Sequence, residues 1–165
     1  MKNAIFDLDM TLVDSSIAES ARKQRNWQYV YSLIPSFTLY PGMAEVFDYI
    51  RNNGIKVAIV STSPRPYLER VCKYFSIPTD AFLGYHDCGR IKPAPEGMFR
   101  AMLAIGSSAD NTVSFGDRAI DIQAANAARI TSVACLWGTS EGRALINSCP
   151  SATIDSPIQI IDFLK

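Results

Sequence analysis

Two aspartates stand two residues apart in Asp7-Leu8-Asp9-Met10-Thr11, directly after the short apolar stretch Ala4 to Phe6. On an extended segment that spacing turns both carboxylates toward one reacting group. An ionised Asp at a rigid strand end can attack phosphorus directly, giving an aspartyl-phosphate that water then hydrolyses; Asp7 is read in that role. Asp9 can protonate the leaving oxygen and later deprotonate the water. Farther along come Ser61-Thr62 after the apolar run Ile55 to Val60, Lys92 ahead of Pro93, and Gly116-Asp117-Arg118-Ala119-Ile120-Asp121 after Thr112 to Phe115. A phosphoryl group needs positive charge and donors on its non-bridging oxygens. The Lys92 ammonium, the Ser61 hydroxyl with Thr62 counted beside it, and loop amides can supply them.

Gathered in one place, Asp7, Asp9, Asp117 and Asp121 would repel one another. Two carboxylates ~4 Å apart cost on the order of 4 kcal/mol at an effective dielectric of ~20. Lys92 supplies one counter-charge. The rest calls for a cation, and an all-oxygen set with open positions suits Mg²⁺, which keeps its waters and shares phosphate oxygens.

The elements that must bring these residues together alternate between strand and helix. Ser16-Ile17-Ala18-Glu19 reads as a capping box opening one long amphipathic helix, with Ile17, Ala21, Val30 and Ile34 among its apolar positions and Pro35 as its stop. A second helix is expected from about Met43 to Asn53, ended by Gly54. Ile55 to Val60 then reads as a strand buried on both faces. Helices are expected from Pro66 to Phe75, from Pro95 to Gly106 and over Ala119 to Ala128, with strands at Ala81–Leu83, Thr112–Phe115 and Thr131–Leu136. Two short helices close the chain, the last from Pro157. Such alternation predicts an α/β fold with a parallel sheet between two helical layers. Ligands in such a sheet bind beyond the carboxyl ends of the strands. Every candidate residue stands at one of those ends or in the loop after it.

In this order and placement the chain resembles the haloacid dehalogenase-like (HAD) superfamily of phosphatases over nearly its whole length. Asp7-x-Asp9-x-Thr11 resembles the first motif of that family, Ser61 the second, Lys92 the third, and Gly116-Asp117-x-x-x-Asp121 the fourth. The resemblance implies a three-layer α/β/α Rossmann-like sheet of order 5-4-1-2-3. It implies Asp7 as nucleophile and metal ligand, Asp9 as acid/base and metal ligand through its backbone carbonyl, and Asp117 as metal ligand. Ser61, Thr62 and Lys92 would hold phosphate, Thr11 would orient the site, and Asp121 would be a ligand or a partner of a metal-bound water.

Taken singly, each motif has a plainer use. Ser61 could cap a helix, Lys92 could be solvated, and Asp121 could answer a helix dipole. Order and placement carry the reading.

Larger relatives insert a cap domain soon after the first motif. Here only about residues 14–40 are available, too few for a core of their own. The resemblance therefore implies one HAD-like domain over 1–165 with a minimal helical cap at about 14–40. The expected site is more open than in fully capped relatives and suits a bulky substrate or one enclosed by a second subunit. Asp9 favours phosphate chemistry over dehalogenation, and the lack of a closing cap disfavours a phosphomutase.

The 165 residues are 48% apolar and 19% charged, with 16 basic residues balancing 16 acidic ones. That balance excludes a strong field toward nucleic acid or anionic membrane. No apolar run suits a signal peptide or a membrane span, so the expected location is the cytoplasm. Cys72, Cys88, Cys135 and Cys149 lack C-x-x-C spacing and have one histidine, His86, between them, which excludes an ordinary zinc site. Arg65 and Arg118 are read as solvent-facing, His86 as a loop residue, and Trp27, Tyr29 and Tyr31 as packing residues. The expected partner is a phosphorylated substrate, with no membrane and no nucleic acid; a homo-oligomer stays open. Two other readings remain: a phospho-acceptor signalling domain of the response-regulator type, and a catalytically inactive HAD-like binding module.

Overall fold

The computed structural model describes residues 1–165. Strand β1 (Asn3–Phe6) leads into a short antiparallel ribbon, β2 (Val13–Asp14) with β3 (Thr38–Leu39), and between these two lie α1 (Glu19–Lys23) and α2 (Trp27–Leu33). The chain continues through α3 (Met43–Asn52), β4 (Val57–Val60), α4 (Arg65–Tyr74), β5 (Ala81–Leu83), α5 (Glu96–Ala104), β6 (Thr112–Gly116), α6 (Ala119–Ala127), β7 (Thr131–Cys135), α7 (Gly142–Asn147), β8 (Ala152–Ile154) and α8 (Ile160–Leu164). Six strands form one parallel sheet of order β5-β4-β1-β6-β7-β8.

The five anticipated strands take the anticipated order, and β8 adds an edge strand beside β7. Three residues, Ala-Thr-Ile, carry too little pattern to announce it. Register places Phe6 beside both Ile59 and Phe115, so the carboxyl ends of β4, β1 and β6 finish level. That alignment puts the residues following each of them on one rim.

The helices cover both faces. α3 buries Met43, Val46, Phe47 and Ile50, a stripe at helical spacing, and each such side chain stabilises by about 1.5–3 kcal/mol. Together with Tyr67, Leu68 and Val71 of α4 and Ile160 and Leu164 of α8, this stripe packs on Ala4, Phe6, Val57, Ile59, Val113 and Phe115. The opposite face carries Ile5, Ala58 and Val60 against Met98, Ala101 and Met102 of α5 and Ala124 and Ala125 of α6. The alternation along β1 and β4 is the period-2 pattern of a doubly covered sheet. No helix is long and apolar enough to cross a membrane.

The stretch after β2 departs from its expected form. In place of one long helix there are a 3₁₀ turn (Ser16–Ala18), α1, a break at 24–26, α2 and a second 3₁₀ turn holding Pro35. Arg25 takes φ 56°, a left-handed conformation that ends α1, and the Asn26 side chain accepts from the Tyr29 amide to start α2. The capping box does not form. Both the amide and the hydroxyl of Ser16 donate to Asp14 Oδ1, at 3.1 and 2.6 Å, and Glu19 pairs with Lys23. Asp14 lies two residues upstream and makes the local turn that Glu19 would have had to reach back for. Ala18, Ala21, Val30 and Ile34 sink into the core shared with α3 and α4.

Candidate active site

Asp7, Asp9, Ser61, Thr62, Lys92, Asp117 and Asp121 all line one cavity of about 510 Å³ at the carboxyl ends of the strands. Thr11 lies fully buried beside it, and its hydroxyl donates to Asp117 Oδ1 at 3.0 Å. Every side chain to which the sequence reading gave a catalytic, phosphate-binding, metal-binding or orienting role is therefore brought to this place. β4 runs into Ser61, where a response-regulator arrangement would need its acceptor aspartate.

The sheet does the positioning. The Asp7 amide donates to the Phe115 carbonyl at 3.0 Å, extending the β1–β6 pairing past the end of the strand, and the Ser61 amide does the same with Leu83. Lys92 arrives from the segment ahead of α5, and its ammonium is buried. It donates to Asp7 Oδ1 at 3.0 Å, to Asp121 Oδ1 at 2.5 Å and to the Val60 carbonyl at 2.9 Å. Asp121 uses its other oxygen to accept from the Arg118 amide at 3.0 Å, so one carboxylate both starts α6 and pairs with Lys92. Gly116 makes this approach possible. A β-carbon there would stand 2.4 Å from that of Asp121.

One carboxylate oxygen from each of Asp7, Asp117 and Asp121 falls within 4.8 Å of the others. Burial pushes the Asp117 carboxyl well above the usual range, reinforced by the charges of Asp7 and Asp121; burial likewise raises Asp121, against the pull of Lys92. Lys92 is held charged: Asp121 and Asp7 outweigh the cost of its burial. One ammonium faces three clustered carboxyl groups, two of them buried, and cannot by itself offset all three once they are ionised. The donor set is all oxygen and the residues fit a divalent cation of the Mg²⁺ kind.

Asp9 lies outside this group of three and is held separately. Oδ1 accepts from Ser15 Oγ at 2.6 Å and from Tyr67 OH at 2.5 Å, and Oδ2 pairs with Arg22 Nη1 at 3.2 Å. Burial and the Asp9 charge raise the Tyr67 hydroxyl far above its ordinary value, so it remains a donor.

Ser15, Arg22 and Tyr67 were absent from the sequence reading. Each sits in an unremarkable helical or loop context, and only the fold carries α1 and α4 to Asp9. The segment after β7 was missed as well. Trp137 Nε1 donates to the Thr11 carbonyl at 2.9 Å, Thr139 Oγ1 donates to the Asp117 carbonyl at 2.6 Å, and Glu141 accepts from the Ala119 amide at the start of α6 at 2.6 Å.

The residues read as packing or solvent-facing divide. Trp27 packs on Tyr67, with ring centroids 5.5 Å apart, and also lines the cavity, as do His86 and Arg118. Arg65 lies outside, paired with Asp87. Tyr29 is exposed, and Tyr31 lies under the Arg70 guanidinium.

A family model described as haloacid dehalogenase-like hydrolase matches residues 18–129. The chain is 27% identical over 162 residues to a phosphoglycolate phosphatase of Pseudomonas syringae pv. syringae, an alignment covering 94% of this chain and 57% of that protein. It is 29% identical over 124 residues to a phosphoglycolate phosphatase of Salmonella paratyphi A, covering 72% and 48% respectively. It thus spans about half the length of the curated relatives it matches. Among solved structures, a HAD-superfamily hydrolase of subfamily IA, variant 1, from Geobacter sulfurreducens superposes with a TM-score of 0.81 at 18% identity, covering 99% of this chain and all of that one. That likeness bears on the fold alone.

Proposed function

We propose, for a chain that belongs to the haloacid dehalogenase-like hydrolases, that it is a Mg²⁺-dependent phosphatase hydrolysing a phosphate monoester through an aspartyl-phosphate on Asp7. The convergence of Asp7, Asp117 and Asp121 within 4.8 Å, with Lys92 between Asp7 and Asp121, carries the reading.

Asp7 is the nucleophile. Its carboxylate stands at the end of the central strand, pinned on one side by Lys92. Attack forms the bond from its oxygen to phosphorus as the ester oxygen leaves, and Asp9 delivers the proton that the leaving oxygen takes. Asp9 then accepts a proton from the water that opens the acyl phosphate. Lys92, Ser61 and Thr62 hold the non-bridging oxygens. Asp7, Asp117 and the backbone carbonyl of Asp9 would hold the metal, with Asp121 beside them and Thr11 fixing the Asp117 carboxylate. When bound, Mg²⁺ supplies positive charge to the phosphoryl oxygens that this mostly acidic wall cannot.

Residues 14–40 act as a minimal cap on a single HAD-like domain. Glu19, Arg22, Lys23, Arg25 and Trp27 from this stretch wall the cavity on one side, and its apolar side chains belong to the core of the main domain. Hydrolysis of an aryl phosphate with and without Mg²⁺, beside an Asp7→Asn variant, tests the proposal. Turnover that needs Mg²⁺ and disappears in the variant supports it; activity without the metal, or full activity in Asp7→Asn, refutes it. Phosphoglycolate, the substrate in the names of the relatives, belongs in the first substrate panel.

A further inference from the structure

The Arg22 Nε is the only buried side-chain nitrogen or oxygen in the protein without a hydrogen-bond partner. Native folds rarely leave such a donor unmet, so its place calls for a purpose. Arg22 belongs to α1 and lines the same cavity as Asp7, Ser61 and Lys92. Its Nη1 is committed to Asp9 Oδ2 at 3.2 Å. A guanidinium has five N–H groups in a rigid fork, so one edge can hold Asp9 while the rest remains free to bind another acceptor.

Charge along the cavity points the same way. At the nucleophile end Asp7, Asp117, Asp121 and Glu141 face Lys92 and Arg118; at the α1 end Arg22, Lys23 and Arg25 face Asp9 and Glu19. One end favours a metal ion and the other an anion.

We infer that Arg22 is a shared cation, which positions Asp9 and also receives a second anionic group on the leaving portion of the substrate. The inference rests on the phosphatase reading and narrows its substrate to phosphate esters bearing a carboxylate or second phosphate. The distances make the tether short. Asp9 must come within about 2.8 Å of the ester oxygen to protonate it, and Arg22 is 3.2 Å from Asp9. The second anion therefore sits only a few atoms beyond the ester oxygen. What lies past that anion is not constrained.

The same residue would then couple recognition to chemistry. An ester with its anion in place engages the guanidinium that holds Asp9, so binding energy from a non-reacting group goes into aligning the acid/base. Arg22 is a positioning and specificity residue in this scheme; Tyr67 and Ser15 position Asp9 alone.

Binding of three matched phosphonates, whose C–P bond leaves no ester to hydrolyse, to Mg²⁺-loaded wild-type protein tests this by calorimetry. Propylphosphonate lacks the second anion, 3-phosphonopropionate carries a carboxylate at the same spacing, and ethane-1,2-bisphosphonate carries a second phosphonate. One of the two charged ligands should bind about 10- to 100-fold more tightly than propylphosphonate, the factor a hydrogen bond to a charged group brings, and the tighter one identifies the second anion. Adding Arg22→Lys should collapse that ratio toward one, because an ammonium can pair with Asp9 but has no fork to share. Adding Tyr67→Phe should leave the ratio intact.

In turnover of the corresponding esters by otherwise wild-type protein, Tyr67→Phe should lower kcat on charged and uncharged substrates alike. Arg22→Lys should raise KM on the charged one selectively. A ratio near one in the parent protein, a preference that survives Arg22→Lys, or no binding of any ligand would overturn the inference. Loss of Mg²⁺-dependent aryl phosphate hydrolysis would instead strike the phosphatase reading, and the binding ratios would still decide the role of Arg22.

Discussion

At the scale of residues, two aspartates two positions apart have different surroundings, and the surroundings set the chemistry. Asp7 is tied to Lys92 and lies within reach of Asp117 and Asp121, whereas Asp9 is turned into a pocket of Ser15, Tyr67 and Arg22. Their variants should fail differently. Asp7→Asn should lose activity by on the order of 10⁴-fold or more, with no phosphorylated protein formed, because the nucleophile is gone. Asp9→Asn should lose about 10²- to 10⁴-fold, the usual share of general acid–base catalysis. With a good aryl leaving group it should accumulate phosphoprotein, since opening the intermediate still needs the base. Rapid-quench labelling with radioactive substrate distinguishes the two. Wild-type turnover by Asp9→Asn would remove it from the mechanism.

At the scale of elements, the loop after β7 braces the first-motif loop. Trp137 and Thr139 donate to the carbonyls of Thr11 and Asp117, and Gly138 passes so close that a β-carbon would sit 2.3 Å from the Met10 carbonyl oxygen. Backbone cannot yield as a flexible side chain would. Gly138→Ala should therefore cost about 1–3 kcal/mol, the range for overpacking, and lower kcat as well. Urea unfolding measures the first; an unchanged midpoint would show that the loops are not packed as described.

The Lys92 segment is a second case. Lys92→Ala removes the one ammonium between Asp7 and Asp121, leaving the half-buried Asp7 without that counter-charge and the buried Asp121 with the Arg118 amide alone. A loss of about 3–5 kcal/mol is expected from breaking a buried pair. Part of it should be recovered on adding Mg²⁺, as the same urea titration would show.

At the scale of the whole molecule, the buried acidic group makes stability depend on pH and on metal together. The Asp117 and Asp121 carboxyls are raised in the folded protein, so above pH ~4 the fold retains protons that the unfolded chain releases. Unfolding free energy should therefore fall as pH rises from about 5 to 8 in metal-free protein. Lys92 is raised too, but its contribution is complete below the ordinary lysine value and is lost only at higher pH. Asp87 is held below the usual range; burial opposes this, and the Gly84 amide and Arg65 outweigh it. Its contribution is lost only as pH falls below about 4.

Mg²⁺ competes with those protons, so it should raise the melting temperature more at pH 8 than at pH 5.5. An excess of 100 times its Kd stabilises by about 2.7 kcal/mol, or roughly 5–11 °C for a chain of this size. Thermal melts with and without Mg²⁺ at the two pH values check this. A metal effect independent of pH would place the ion elsewhere.

The sequence by itself determined the layered α/β architecture, the places of five of its six sheet strands and the residues at their carboxyl ends. Those features are written in local terms: apolar runs that only a doubly covered sheet can bury, and polar residues where each run stops. Helical periodicity marked α3, but it misled between Ser16 and Pro35. There Asp14 captured Ser16, and Arg25 and Asn26 broke what apolar spacing alone would continue. β8 was too short to leave a pattern. Only the tertiary structure decided which side chains hold Asp9. Arg22 and Tyr67 come from elements 13 and 58 positions away, and nothing in either local segment distinguishes them from ordinary helix residues. A partner chosen by contact across the fold leaves no mark in spacing, because each chain segment is shaped by its own hydrogen bonds and core face, whichever carboxylate it meets.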